Sequence, residues 1–164
     1  MSANVIDSFE FCRKHQQLRG QTATAEFERL TPELADSEGV LDWSFTGGFH
    51  GNGYAQLGME VRGEVRVICQ RCLKPLAIPV VSQSSLVLAR NDSDADDIGS
   101  RLDDDRVDVI VGSSAMDIMM LLEDEVLLVL PLSPRHDICP DTDQGAEAKS
   151  QADSPFSILK NLKN

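Results

Sequence analysis

The chain has 164 residues, enough for one domain that buries roughly two thirds of its extended surface. Apolar residues make up 41% and aromatic ones only 5%, so Leu, Val, Ile and Met must supply the core in place of large rings. The formal charge of −12 disfavours a protein built around phosphate contacts, which depend on Lys and Arg displacing counterions, and favours a basic partner.

From Val5 to Leu18 the apolar positions Val5, Ile6, Phe9 and Cys12 recur at helical spacing and predict a short amphipathic helix. Gly20 and the threonines 22 and 24 break it, and Thr31-Pro32-Glu33 has the pattern of a helix start. Extended character begins near Gly39, and His50-Gly51-Asn52-Gly53 reads as a hairpin turn. Beyond it, Ala55, Leu57, Met59, Val61, Val65 and Val67 alternate with Gln56, Glu60, Arg62, Glu64 and Arg66, which predicts a long strand with one wet face. Gly58 and Gly63 are expected at bends or bulges.

Residues 76–89 read as a further strand, with Pro75 and Pro79 confining its beginning to a sheet edge. Residues 91–106 are nearly all acidic or small and are expected as a mobile acidic loop. Residues 92–108 hold eight acids against two arginines, half of the net charge, whereas residues 41–91 hold three acids against five bases. A short strand at 107–111 precedes an acidic helix over 115–130, with Ser114 as the expected cap and Asp117 in a capping-box position. Residues 140–153 read as polar linker, and Ser154-Pro155 opens a short terminal helix with Phe156, Leu159 and Leu162 on one side.

The apolar stretch 119–132 is interrupted by Glu123, Asp124 and Glu125, which excludes a membrane-spanning helix of about 20 apolar residues. The start, MSANVIDSFEFCRKH, lacks the features of a secretory signal, so a cytoplasmic location is expected. In a reducing compartment Cys12, Cys69, Cys72 and Cys139 read as thiols or metal ligands before disulfides.

Cys69-Gln70-Arg71-Cys72 has the spacing at which two thiolates grip one zinc ion, and His136-Asp137-Ile138-Cys139 repeats the gap and would complete a Cys₃His tetrahedron. The alternatives are unliganded thiols or a redox pair, although redox CxxC motifs normally open a helix in a βαβ unit. Glu123, Asp124 and Glu125 fan over about 200° of a helix and cannot converge on one cation, whereas Asp117 and Asp124 share a face. Arg62, Arg66, Arg71, Lys74 and Arg90 form the basic cluster, and Glu64 between the first two fits an ion-pair ladder as well as RNA contact. There is no serine-nucleophile motif, phosphate-binding glycine loop or dinucleotide fingerprint.

Three segments in order, CQRCLKP (69–75), DIMMLLEDEVLLVLPLSPRH (117–136) and SPFSILKNLK (154–163), resemble the YceD family of bacterial large ribosomal RNA subunit accumulation proteins. The resemblance implies a role in the synthesis, processing or stability of large-subunit (23S) ribosomal RNA, with no catalytic residues to transfer. Family members in many lineages carry extra cysteines after the helix, where this chain offers His136 and Cys139.

The expected architecture is α+β, an antiparallel sheet packed against the acidic helix with short terminal helices, the alternative being a partly closed small barrel. Residues 1–139 are expected as one domain, and 140–164 as linker and terminal helix. The expected function is a non-enzymatic ribosome-biogenesis factor. Its acidic residues Asp103, Asp104, Asp105, Asp117, Glu123, Asp124 and Glu125 would bind a ribosomal protein or another basic factor. The alternatives are direct RNA binding through Arg62, Arg66, Arg71 and Lys74, or metal-dependent RNA processing at Asp117 and Asp124. The cysteine and histidine spacing allows one structural zinc as cofactor.

Overall fold

The structure, a computed structural model, describes residues 4–102 and 106–140. Strands β1 (Val5–Ile6), β2 (Gln17–Ala23), β3 (Val40–Phe49), β4 (Ala55–Ile68), β5 (Pro75–Ala89), β6 (Asp108–Val111) and β7 (Met116–Asp117) combine with helices α1 (Ser8–Arg13), α2 (Asp92–Arg101) and α3 (Ile118–Val129). The fold is α+β. The main sheet has the order β2-β3-β4-β5-β6, and β1 pairs with β7 in a small antiparallel ribbon. The sheet is open, with β2 and β6 at its edges, so the barrel alternative does not form.

The β3–β4 hairpin closes through the expected turn, with Gly53 at φ 84° and the His50 amide donating to the Tyr54 carbonyl at 2.8 Å. The β3–β4 register runs unbroken from Phe49 opposite Ala55 to Leu41 opposite Gly63, and β4–β5 from Gln56 opposite Val87 to Ile68 opposite Pro75. Gly58 and Gly63 therefore mark no bulge. Gly63 serves close approach instead, since a Cβ there would lie 2.7 Å from both the Val40 carbonyl oxygen and Leu41 Cδ2.

Strand alternation splits the side chains into two layers. Leu41, Phe45, Leu57, Met59, Val61, Val65, Val67, Val80, Leu86 and Leu88 face a core covered by Phe11 and Cys12 of α1 and by Ile118, Leu122 and Val126 of α3. Val87 and Ala89 point the opposite way, where Ile98 of α2 buries them.

Three stretches depart from the sequence expectation. The first helix is only α1; His15 takes a left-handed φ of 48°, and residues 17–23 form edge strand β2. Its inward alternation is hidden in the sequence because Gly20 occupies the inward position that Trp43 fills from β3, a Cβ there lying 2.7 Å from the indole. Thr31-Pro32-Glu33 begins no α-helix and makes a single 3₁₀ turn.

Residues 92–101, expected within a loop, form α2. Asn91 caps it by accepting the Asp94 amide, and Asp92 and Asp94 in the first turn complement the helix dipole. Ala95, Ile98 and Leu102 give it a thin apolar stripe against β5 and β6, and α2 is the crossover that lets β6 lie parallel to β5. The expected terminal helix over 154–163 lies outside the described residues. Among the described residues, no helix is long and apolar enough to cross a membrane.

Candidate functional site

The β4–β5 hairpin turns through Cys69-Gln70-Arg71-Cys72-Leu73-Lys74. The Cys69 amide donates to the Lys74 carbonyl and the Leu73 amide to the Cys69 carbonyl, both at 2.9 Å, with Leu73 at φ 59°. This tight knuckle puts both sulfurs on one side of the hairpin tip.

The second half of the site arrives from α3. Leu130 leaves the helix extended, Pro131 prevents its continuation, and residues 131–140 form an irregular strap. Gln70 fastens the strap to the knuckle: its amide donates to the Pro134 carbonyl at 2.9 Å, its side-chain NH₂ to the Leu132 carbonyl at 3.4 Å, and its Oε1 accepts from Ser133 Oγ at 3.0 Å. His136 and Cys139 are thereby delivered to Cys69 and Cys72, across 63 intervening residues between Cys72 and His136.

The four donor atoms all lie within 4.8 Å of one another. Cys69 Sγ is 4.0 Å from Cys139 Sγ, and Cys72 Sγ is 3.4 Å from His136 Nδ1. A zinc ion with sulfur at about 2.3 Å and nitrogen at about 2.0–2.1 Å requires tetrahedral edges of about 3.8 Å between sulfurs and about 3.6 Å from sulfur to nitrogen. The Cys69–Cys139 and Cys72–His136 edges each match that tetrahedron to within a few tenths of an ångström. No disulfide joins the cysteines.

Burial works to raise the Cys69 thiol, but backbone bonding at Cys72, His136 and Arg71 together with the His136 ring outweighs it and holds the thiol at about 5. The Arg71 and His136 amides stand 3.5 and 3.4 Å from its sulfur, the outer-shell donors a metal thiolate requires. Cys139 goes the other way, pushed up to about 11 by burial and by bonding to Cys72 and Cys69. A metal binding here displaces the Cys139 proton. Cys69, Cys72, His136 and Cys139 can hold one metal ion, and the donor set suits structural zinc, because protein atoms fill all four positions.

The expected acidic surface is distributed differently. Glu123 is buried and accepts the amides of Arg29 at 2.6 Å and Leu30 at 3.0 Å and the Arg29 guanidinium at 2.9 Å. Burial opposes its ionisation, yet these donors hold its carboxyl below the ordinary range. Asp124 takes the other end of Arg29 at 2.6 Å, Glu125 accepts from Ser82 Oγ, and Asp117 is itself the cap of α3, accepting the Met119 amide at 2.9 Å. Ser114 is not the cap. Asp117 and Asp124 are engaged separately, by the Met119 amide and by Arg29, and among the described residues the Cys₃His group is the only cluster of three or more such side chains placed to hold a metal. Asp103, Asp104 and Asp105 lie outside the described residues.

The basic residues differ in what engages them. Arg66 is committed to Asp36 and Glu38 at 2.9 and 2.8 Å, Arg71 is exposed on the knuckle, and Lys74 is exposed beside it. Arg62 faces solvent between Asp42 of β3 and Val81 of β5. The same open sheet face holds Arg19 and Gln21 of β2, which with Asp42, Ser44 and Glu60 line a shallow hollow of about 370 Å³. Arg19 and Gln21 carry no local sequence signal beyond the alternation of Leu18 and Thr22 about Gly20, which places them outward.

No solved structure matches the chain. The family described as large ribosomal RNA subunit accumulation protein YceD matches residues 57–163, a span that begins in β4 and takes in the knuckle, α3 and the strap. By that match the chain belongs to the YceD family.

Proposed function

We propose that this protein supports accumulation of large-subunit ribosomal RNA without catalysing a reaction, by holding a basic protein partner, such as a ribosomal protein, against an acidic surface. The family description supplies the rRNA role. The observation that carries the binding mode is α2: Asp92, Asp96 and Asp97 are exposed and make no ion pair among the described residues. They continue in sequence into Asp103, Asp104 and Asp105. The acids of α3 are spent on Arg29, Ser82 and the helix cap and are set aside from this surface. Unpaired like charges on one element steer a basic partner and set its association rate.

The test is recovery of partners on the purified protein, with and without ribonuclease, beside a variant with Asp92, Asp96, Asp97, Asp103, Asp104 and Asp105 changed to Asn. Basic ribosomal proteins retained after ribonuclease, and lost with the variant, are expected. Equal recovery by the variant overturns the reading.

The second reading is direct RNA binding, favoured by the open face where Arg19 and Arg62 stand without ion pairs among the described residues. It predicts recovery that ribonuclease abolishes, and RNA affinity that falls with salt and with Arg19→Ala and Arg62→Ala.

A further inference from the structure

The knuckle and the strap enclose more than the four metal-binding groups. Between them runs a groove of about 420 Å³, with Val67, Ile68 and Leu73 on the hairpin side and Leu127, Leu130 and Leu132 on the side of α3 and the strap. Its rim is conspicuously apolar for a water-facing surface: Leu132 is fully exposed and Leu73 is 73% exposed. The charged and amide side chains of the lining are Glu33 and Gln70, and Gln70 is occupied in fastening the strap. A small-molecule site needs several converging polar groups, whereas this lining suits the apolar side of a peptide.

The chain itself contains such a peptide. The described residues end at Pro140, directly after Cys139, so the following segment starts beside the knuckle that forms one wall of the groove. Residues 141–153 can span up to roughly 45 Å when extended, ample to return to a groove next to their origin. Residues 154–163, SPFSILKNLK, then place Phe156, Leu159 and Leu162 three apart, with Lys160 and Lys163 and no acid, in a chain whose net charge is −12. Glu33 at the groove gives those lysines an opposite charge. The family match runs to residue 163 and so includes the groove's β4 and strap residues and this segment together.

We propose that residues 154–163 dock in this groove, with Phe156, Leu159 and Leu162 covering Leu73, Leu130 and Leu132. Because the segment is covalently joined to the wall of the groove, its second contact is intramolecular and has a high effective concentration, so even a weak apolar contact is occupied. The metal-binding strap then organises the floor on which the end of the chain rests. This inference is independent of how the acidic surface is used.

Hydrogen exchange on the purified full chain, read by peptide mass, tests it against the variants Leu159→Asp and Leu132→Ser. Leu132 is fully exposed, so its replacement leaves folding intact. In the wild type, amides of 154–163 are expected to exchange at least tenfold more slowly than the same sequence as a free peptide, at a rate independent of protein concentration. Leu159→Asp should remove that protection and also speed exchange over 127–134, and Leu132→Ser should reduce protection of 154–163 several-fold. Free-peptide rates in the wild type overturn the proposal. So does protection that grows with protein concentration, which places a second copy in the groove, or protection that both variants leave unchanged.

Discussion

Arg29 and Glu123, 94 residues apart, meet through both the backbone and the side chain of the arginine, and Glu123 also takes the amide of Leu30. One buried carboxylate thereby satisfies the backbone just ahead of the 3₁₀ turn at Thr31–Glu33 and pins it to α3. Removing the carboxylate leaves two amides without an acceptor, which is costlier than losing the ion pair alone. Glu123→Ala is expected to lower unfolding free energy by about 3 kcal/mol, read from the urea midpoint. Asp124→Ala, which breaks only the exposed arm of Arg29, should stay within about 1 kcal/mol. Equal losses from the two variants would contradict the assignment.

The same group sets an acid dependence. The Glu123 carboxyl is depressed in the folded protein relative to its ordinary value of 4.5, so as pH falls the unfolded chain takes up the proton first. Its stabilisation is complete above that ordinary value and is lost as pH falls through the folded one. Glu123→Gln should therefore flatten the fall of stability below about pH 4.5, as followed by thermal melts from pH 6 to 3. An unchanged acid slope would contradict this role.

Metal analysis of the purified protein is expected to return one zinc per chain, and Cys69→Ser or Cys139→Ser should abolish it. With free zinc about a thousandfold above its dissociation constant, binding contributes about 4 kcal/mol, so chelation should lower Tm by roughly 10 °C. Cys12→Ser should leave the zinc content unchanged, because Cys12 lies apart from the cluster and its thiol donates to the Gln56 carbonyl. Retention of zinc by Cys69→Ser would contradict the site.

Two glycines test the described backbone. A Cβ at Gly63 meets the Val40 carbonyl oxygen and Leu41 at 2.7 Å, whereas one at Gly99 meets nothing within 4 Å. Gly63→Ala should destabilise by about 1–3 kcal/mol. Gly99→Ala, in the interior of α2, should stabilise by up to about 1 kcal/mol. A destabilising Gly99→Ala would argue against a helix at 92–101.

What could be read in advance follows physical range. The alternation of Leu57, Met59, Val61, Val65 and Val67 is a local signal, and it gave the long strand correctly. The two-residue gaps of Cys69/Cys72 and His136/Cys139 are likewise local, and they mark the four residues whose donor atoms the fold brings together, although that meeting depends on Gln70 and the strap. Edge strand β2 was hidden because its inward partner at Gly20 comes from Trp43 of the neighbouring strand. Helix α2 was hidden because three apolar residues, Ala95, Ile98 and Leu102, are few beside so many acids. The burial of Glu123 was illegible for a different reason: its donors lie in a loop with no motif, and only the fold brings them together.

The proposed use of the acidic surface is tested most directly by the ratio of large-subunit to small-subunit ribosomal RNA in cells whose only copy of the protein carries Asp92, Asp96, Asp97, Asp103, Asp104 and Asp105 changed to Asn. With the variant present at wild-type abundance, the ratio is predicted to fall as far as it does when the protein is deleted. A wild-type ratio in those cells, alongside a reduced one in the deletion, would contradict it.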